Sequence, residues 1–426
     1  MKVWMIAAAL VLLALLGAPL FTIIGGIALY AFHSGGVDTS VVIINLYQIA
    51  DTPTLIAIPL FTFAGYLLAE SNSPKRLVAL AQAMFGWIPG GLAIVVLVTC
   101  AFFTAFTGAS GVTIVALGGI LYPILLKESY PERFSLGLVT ASGSIGLLFP
   151  PSLPIILYGI IAKVSIDQLF LAGILPGFLL ISFVALHSVR VGVKKKVPRV
   201  PFSFANLRSA LRGALWEIPL PFIIIGGIYS GAFTATEASA VTAFYVFIIV
   251  VFIYRDMKLT SDVPRVMKES MMLVGAILAI LGMALGLTNY LVDEQVPQAL
   301  FQFVQSHVGS RLAFLLILNG FLLVVGMMMD IFSAIIVVVP LILPIANEFG
   351  INPLHLGIIF LTNLEIGYLT PPVGLNLFLS SLRFEKPILD ITKSVLAFMA
   401  LMAAALLVIT YVPELSLWLV SVFGAQ

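Results

Sequence analysis

The sequence SIGLLFPP from Ser144 to Pro151 returns in altered form as EIGYLTPP from Glu365 to Pro372. Each copy lies inside an apolar run that is long enough to cross a bilayer. Glycine and a proline pair interrupt a helix and leave backbone polar groups without partners, which lipid cannot supply. Each interruption must therefore face protein, ions or a watery cavity. Paired interruptions at matched positions of two half-chains indicate the binding site of a transporter.

The composition places the chain in a lipid bilayer. Of its 426 residues, 61% are hydrophobic and only 9% are charged. Apolar runs of about 20 residues recur along the whole length, which predicts an all-α polytopic membrane protein. The net charge of +2 gives no reason to expect a nucleic-acid partner.

Catalytic and cofactor motifs are missing from the sequence. The single cysteine, Cys100, excludes an internal disulfide and a cysteine-based metal site. The four histidines are scattered, and no nucleotide or phosphate loop is present. We therefore predict no catalytic residue and no cofactor, and expect that a gradient or a partner supplies the energy.

The apolar runs predict nine membrane crossings, near 4–31, 53–70, 133–163, 167–190, 216–231, 234–254, 270–292, 353–382 and 388–411. Two further apolar segments, 88–127 and 311–347, have small or polar residues at their centres and are predicted as re-entrant hairpins. Amphipathic arms, 74–86 and 295–308, precede them. If either segment formed two full spans and not a hairpin, the chain would still return to the same side, so the orientation of the other crossings would not change.

The distribution of positive charge orients the chain. The nine crossings and two hairpins leave 19 of the 21 lysine and arginine residues on one side, with only Lys163 and Arg311 opposite. Positive residues mark the cytoplasmic side. The N-terminus is therefore predicted in the cytoplasm and the C-terminus in the periplasm. Residues 191–215 are expected to form a solvated, basic cytoplasmic connector, for which a lipid headgroup or partner contact stays open.

The internal repeat covers more than the proline pairs. Pro123-Ile124 matches Pro344-Ile345 at the same offset, 221 residues, that relates the proline pairs. Each copy runs in the order crossing, arm, hairpin, broken helix and closing helix, with broken helices near 133–163 and 353–382. Because five crossings separate the starts of the copies, they begin from opposite faces. Halves 1–190 and 216–426 thus form an inverted repeat.

The candidate site in the first half contains no charge. Its hairpin tip and its break, at Pro150 and Pro151, present small hydroxyl residues and glycines: Thr104, Thr107, Ser110, Ser142, Gly143, Ser144 and Gly146. Several oxygen dipoles can replace the hydration shell of a small hard cation. Close helix packing is the other use of such glycines.

The candidate site in the second half adds two acids at membrane depth, Asp330 and Glu365. An intramembrane acid is costly and indicates function, although Asp330 also suits the N-cap of the second hairpin arm. The remaining candidates for ion binding or for the break are Ser333, Asn363, Gly367, Thr370, Pro371 and Pro372.

The candidates for substrate contact or gating are Thr104, Ser144 and Glu365, together with Asn376 shortly after the second break. Neither tip and neither break contains lysine or arginine. An anionic substrate would then be held by half-helix N-termini, backbone N–H groups and a bound cation.

Five stretches together resemble the large membrane subunit (M, DctM-like) of tripartite ATP-independent periplasmic (TRAP) transporters. The likeness spans nearly the whole chain, and any one stretch alone would be weak. They are LYQIAD (46–51) with LIAIPLFTFAG (55–65), FTGASG (106–111), FPPSLPIILYG (149–159), GAFTATEA (231–238) and GYLTPPVGLN (367–376).

The resemblance implies sodium-coupled import of organic acids, such as sialic acid or C4-dicarboxylates, across the bacterial inner membrane. It implies a periplasmic substrate-binding protein and a small four-span membrane subunit, expected here as a separate chain. It also implies an elevator of the ion-transporter-superfamily type. Its sodium sites would lie at Ser110, Gly143 and Gly146 in one half and at Gly367 and Thr370 in the other, with Asp330 near the second.

One alternative stays open on the residues, a stand-alone sodium/carboxylate symporter of related architecture that needs no binding protein. A membrane-embedded enzyme is disfavoured, because the catalytic groupings are missing. The sequence does not identify the organic acid.

Overall fold

The computed structural model describes residues 10, 12–13, 16–48, 52–197, 199 and 201–424. Over these residues every regular element is a helix, which confirms the predicted all-α class. Part of the first predicted crossing, 4–31, and Asp51 of the LYQIAD stretch lie outside the described residues.

The first half contains one hairpin and one broken helix. The first hairpin consists of Gly91–Thr107 and a second arm, Ser110–Ala116 and Gly118–Lys127, that bends by 49°. The first broken helix consists of Glu132–Leu148 and Leu153–Ala162, which meet at 43°. The other helices of this half are Leu20–Ser34, Ser40–Gln48, Ala57–Glu70 after a 3-10 turn Pro53–Ile56, the arm Ser73–Phe85, and Ile166–Lys194.

The second half repeats this order. The second hairpin consists of Arg311–Met328 and Ile331–Glu348, and the second broken helix of Pro353–Gly367 and Leu375–Phe384. The other helices are Phe204–Gly213, Pro219–Tyr229, Ala235–Ile253, Asp262–Asp293, the arm Val296–His307, Ile388–Tyr411 and Glu414–Phe423. The division of the chain into halves at 190 and 216 stays a prediction.

The two hairpins turn for different local reasons. In the first, Gly108 adopts a φ of 63°, a left-handed conformation that ends the preceding helix. In the second, the Asp330 carboxylate accepts hydrogen bonds from the backbone N–H groups of Phe332 and Ser333 at 3.0 and 3.1 Å. Asp330 is therefore the N-cap of the second arm, as its residue type predicted.

Three stretches differ from the sequence-based expectation. The predicted single crossing 4–31 is interrupted by a turn at Leu16 and Gly17, and its next helix begins at Leu20. Gly17 has a φ of 80°, and Pro19 disfavours helix in the residue before it. The basic connector is not only loop, because Phe204–Gly213 forms an amphipathic helix. A short apolar helix, Glu414–Phe423, follows the last predicted crossing.

Among the described residues, seven helices are long and apolar enough to cross a membrane, or nine if each of the two bent pairs counts as one span. Each arm of the second hairpin is long enough to span alone. However, both hairpin tips line one cavity together with the break regions of the broken helices. This common depth favours re-entrant hairpins over pairs of full spans.

Candidate functional site

The two broken helices meet at equivalent positions of the repeat. The Ser144 hydroxyl donates to the backbone carbonyl of Glu365 at 3.5 Å, and these residues are 221 positions apart. Further along, the Tyr158 hydroxyl donates to the Pro353 carbonyl at 2.8 Å. The break regions from the two halves thus lie against each other inside the protein.

Glycines at matched positions hold each hairpin against its own broken helix. A Cβ atom on Gly146 would lie 2.2 Å from the Ala101 carbonyl oxygen of the first hairpin. A Cβ atom on Gly367 would lie 2.5 Å from the backbone of Gly326 in the second hairpin. Both obstacles are backbone, so only glycine permits this approach. A Cβ on Gly143 would meet the Ile114 side chain at 2.5 Å.

The hydroxyl groups of the first half are buried and mostly satisfied locally. Thr104 Oγ1 lies 2.7 Å from Thr113 Oγ1 and donates to the Gly143 carbonyl at 2.9 Å, which fixes the hairpin to the broken helix. Ser142 donates to the carbonyl one turn earlier in its own helix. Thr107 reaches only the Ala109 carbonyl, at 3.4 Å.

One side-chain hydrogen bond joins the tip of the first hairpin to the second broken helix. The Ser110 hydroxyl donates to Asn376 Oδ1 at 2.7 Å. Both side chains are almost entirely buried. The Asn376 amide nitrogen has no hydrogen-bond partner among the described residues. The first-half tip and the second-half break therefore form one polar cluster with an unused donor.

The tip of the second hairpin is organised around its acid. The Ser333 hydroxyl donates to the second carboxylate oxygen of Asp330, in addition to the two backbone caps on the first oxygen. The Tyr368 hydroxyl accepts the backbone N–H of Ile331, which ties the break to this tip. Asp330 remains exposed, so its carboxylate is held in position while open to a ligand.

Three other second-half candidates, Asn363, Glu365 and Thr370, are less exposed than Asp330. Asn363 donates to Asn319 Oδ1 at 2.7 Å, and Asn319 in turn donates to Thr410 at 3.0 Å. Thr370 donates back to the Ile366 carbonyl of its own helix. Glu365 is fully buried, and neither carboxylate oxygen has a partner among the described residues.

A cavity of about 550 Å³ unites elements from both halves. The first hairpin contributes the tip from Gly108 to Val112 with Val115 and Ala116, and the second contributes 330–332. The broken helices contribute Leu147 from one half and Tyr368, Leu375 and Leu379 from the other. The remaining wall comes from two other helices, through Tyr66, Ala69, Glu70 and Leu273.

Of the predicted site residues, the cavity wall includes only Ser110 and Asp330. Of the other candidates, Pro371 and Pro372 are exposed and Pro150 and Thr370 are half-buried, whereas the rest are buried behind this surface. Sequence reasoning missed Tyr66, Glu70 and Tyr368. The repeat itself carried a clue to Tyr368, because it lies inside EIGYLTPP where the first copy has Leu147.

The charges of the cavity wall are acidic. Glu70 and Asp330 are its charged residues, and no lysine, arginine or histidine of the described chain lines it. Glu70 is neutralised by Arg265, whose guanidinium lies 3.0 Å from its carboxylate. The cavity therefore offers hydroxyl and carboxylate oxygens suited to a hard cation, and it is larger than a single ion needs.

Sequence comparisons identify similar proteins. A family model described as "Tripartite ATP-independent periplasmic transporter, DctM component" matches residues 4–415. The chain is 38% identical over 382 residues to the C4-dicarboxylate TRAP transporter large permease protein DctM of Pseudomonas aeruginosa, covering 89% of each. It is 35% identical to the isethionate TRAP transporter permease protein DctMQ of Oleidesulfovibrio alaskensis, covering 96% of this chain and 64% of that one.

The fold is also similar to a solved structure. The crystal structure of the Alcanivorax borkumensis YdaH transporter matches with a TM-score of 0.61 at 13% sequence identity. The match covers 90% of this chain and 88% of that one. At this identity the likeness establishes the fold alone.

Proposed function

Because the chain belongs to the DctM-component family of TRAP transporters, we propose that this large permease subunit is sodium-coupled and imports organic acids delivered by a periplasmic binding protein. The observation that carries the proposal is the shared cavity, which both hairpin tips and both breaks line. Ser110 and Asp330 would bind or gate the coupling cation, and the substrate would occupy the remaining space.

C4-dicarboxylates are the first substrates to test. The Pseudomonas aeruginosa relative is named for them, whereas the Oleidesulfovibrio alaskensis relative is named for isethionate. Both substrates are small organic anions. Sialic acid, which the sequence resemblance suggested, is the larger comparison substrate.

An elevator motion would complete the mechanism. The hairpins and broken helices would move as one body past Ala57–Glu70 and Asp262–Asp293, which form the rest of the cavity wall. Across this boundary the two backbones are in close contact at Gly65, where a Cβ atom would lie 2.3 Å from the Phe106 carbonyl oxygen. No side-chain hydrogen bond of the described residues joins Ala57–Glu70 to either hairpin, which favours sliding.

The same proposal specifies the partner proteins and the orientation of the chain in the membrane. A separate small membrane subunit of about four spans and a periplasmic binding protein would complete the transporter in the bacterial inner membrane. The basic side, with Arg76 and Arg265, would face the cytoplasm.

Reconstitution tests the proposal. Proteoliposomes that contain the large subunit with its small subunit receive the binding protein and radiolabelled succinate, isethionate or sialic acid. We expect uptake of at least one acid only with both the binding protein and an inward sodium gradient. Uptake without the binding protein would favour the stand-alone symporter. Uptake that ignores the sodium gradient would contradict the coupling.

A further inference from the structure

Arg383 lies on the second broken helix, at the edge of the cavity. Its Nε donates to the backbone carbonyl of Val115 at 2.8 Å. Val115 lines the cavity, as does Leu379, which lies one helical turn before Arg383. The guanidinium is therefore fixed next to the wall by a bond between the two halves of the chain.

The first hairpin provides a seat for this guanidinium. Its second arm bends by 49° between Ala116 and Gly118, just beyond Val115. A Cβ atom on Gly119 would lie 1.8 Å from Arg383 Nη2. The guanidinium thus lies across Gly119, in space that any other residue would fill.

Arg383 is exposed and has no acidic partner among the described residues. A guanidinium has five N–H donors in a fixed fork. Within the described ranges, Val115 is the acceptor that Arg383 reaches, and no carboxylate lies within 4.0 Å of it. Its Nη1 and Nη2 groups therefore keep donors for a ligand, in the forked geometry that matches a carboxylate.

The other arginine bonded to the cavity wall differs in this respect. Arg265 lies 3.0 Å from the Glu70 carboxylate and 3.3 Å from that of Glu269. Its charge is already balanced by acids of its own surroundings. An anion at the edge of the cavity would therefore meet a guanidinium without an acidic partner, whereas the charged residues that line the cavity within the described chain are acids.

We propose that Arg383 is the anion-recognition residue at the edge of the cavity, where its Nη groups receive a carboxylate or sulfonate of the substrate. This assignment rests on the proposed transport of organic anions. Arg383 supplies the positive charge that the tips and breaks lack. Since Val115 fixes Arg383 to the hairpin, the charge would move with the substrate.

The first test reads the local charge without any substrate. Cys100 is buried, so an introduced Val115→Cys, at a position that is 46% exposed, supplies a cavity thiol. The permease complex is reacted with an anionic and a cationic methanethiosulfonate reagent of similar size. We expect Arg383→Gln to lower the ratio of anionic to cationic rates about tenfold at low salt, and Arg383→Lys to restore most of it.

Two matched controls accompany this measurement. Phe303→Cys, on the distant arm and 64% exposed, should give the same ratio in every background. Gly119→Ala should displace the guanidinium and lower the ratio at Val115→Cys, whereas Gly320→Ala, where a Cβ meets no atom within 4 Å, should not. An unchanged ratio in folded Arg383→Gln would overturn the proposal, as would failure of Arg383→Lys to restore it.

The second test adds succinate to the same labelling reaction. Succinate should slow the labelling of Val115→Cys in the arginine background, and about tenfold more succinate should be needed with Arg383→Gln. Equal protection in both backgrounds, or none in either, would contradict a role in anion recognition. If reconstituted uptake of every organic acid fails while the charge effect persists, the proposed function is wrong but the local field of Arg383 stands.

Discussion

The tips of the two hairpins occupy equivalent positions but differ in chemistry. Ala109 in the first tip corresponds to Asp330 in the second, at the common offset of 221 residues. Ala109 provides no cap to the helix that follows, whereas Asp330 caps its helix with one oxygen and accepts the Ser333 hydroxyl with the other. Both tips nevertheless line the same cavity.

The two halves therefore share the frame of the site, meaning the close contacts of the matched glycines Gly146 and Gly367, but they do not share its charged groups. Matched glycines build the same close packing in each half, because a backbone obstacle leaves no room for a Cβ atom. At the tips, an acid is present in the second half only. Substitutions of the matched glycines should therefore have similar effects in both halves, whereas substitutions of polar groups should have different effects.

The largest expected effect follows from the frame. Gly146→Ala and Gly367→Ala each place a Cβ atom within 2.5 Å of backbone atoms. We expect each to reduce uptake to below about a tenth and to destabilise the protein by about 1–3 kcal/mol. Thermal unfolding of the detergent-solubilised complex and proteoliposome uptake measure the two effects.

Gly275→Ala and Gly320→Ala are the matched controls, since a Cβ atom at either position meets nothing within 4 Å. Both should leave uptake unchanged. Tolerance of alanine in one half but not in the other would break the claim of a shared frame.

The second effect concerns the charge. Asp330→Asn keeps a good N-cap but removes the carboxylate, and Ser110→Ala removes one neutral oxygen. We expect the sodium concentration for half-maximal uptake to rise about tenfold in Asp330→Asn and about threefold in Ser110→Ala. Uptake measured against sodium concentration gives both values. Unchanged sodium activation in both variants would argue strongly against a cation at these tips.

The third effect concerns the arms that precede the hairpins. Arg76 on the first arm lies 2.6 Å from the buried Glu217 carboxylate and 2.7 Å from Asp256. The second arm, Val296–His307, makes no salt bridge with any described residue. Arg76→Gln should therefore destabilise the protein by about 2 kcal/mol, discounted for its partial exposure. Gln302→Ala on the second arm should change stability by less than about 0.5 kcal/mol.

Acidification should reduce the difference in thermal stability between the wild type and Arg76→Gln. Burial opposes ionisation of Asp256, but hydrogen bonds from Arg76 and Asn72 outweigh it and lower its pKa below the ordinary 3.8. A carboxyl with a lowered pKa stabilises the folded protein at neutral pH, and this stability is lost as the pH falls from 3.8 through the lowered pKa. The difference in melting temperature should stay constant from pH 7 to about pH 4 and should narrow only as the pH falls below 3.8. A gap that is still constant at pH 3 would contradict this origin.

The smallest effect is expected where the two broken helices touch. The Ser144 hydroxyl is 3.5 Å from the Glu365 carbonyl, at the limit of a hydrogen bond. Ser144→Ala should change uptake by less than about twofold. Thr104→Val, which removes contacts at 2.7 and 2.9 Å, should do more. An inactive but folded Ser144→Ala would show a direct role in transport.

Much of the architecture could be predicted from the sequence. Proline pairs, glycines and the repeat offset identified both broken helices, and the polar centres of two long apolar runs identified both hairpins. The turn at Leu16 and Gly17 and the helix Phe204–Gly213 were missed. An apolar run hides a turn, and a basic stretch does not reveal the amphipathic helix within it.

The site itself was only partly predictable. Ser110 and Asp330, which line the cavity, were candidates because small hydroxyls and acids are conspicuous in apolar runs; their role as site residues stays a prediction. Tyr66 and Glu70 lie on Ala57–Glu70, and only the packing of this helix brings them to the cavity. Arg383 lies on the second broken helix, and its contact with Val115 depends on how that helix packs on the first hairpin. Conversely, Ser142 and Thr370 have the expected residue types, but each donates its hydroxyl to its own helix.

The most direct measurement is a cryo-electron microscopy map of the permease complex in lipid nanodiscs with sodium and a transported acid. We predict that residues 144–151 and 365–372 are interrupted and face each other, with ligand density between Ser110 and Asp330. Uninterrupted helices facing lipid at these residues, or ligand density on a separate surface, would contradict the shared-cavity account.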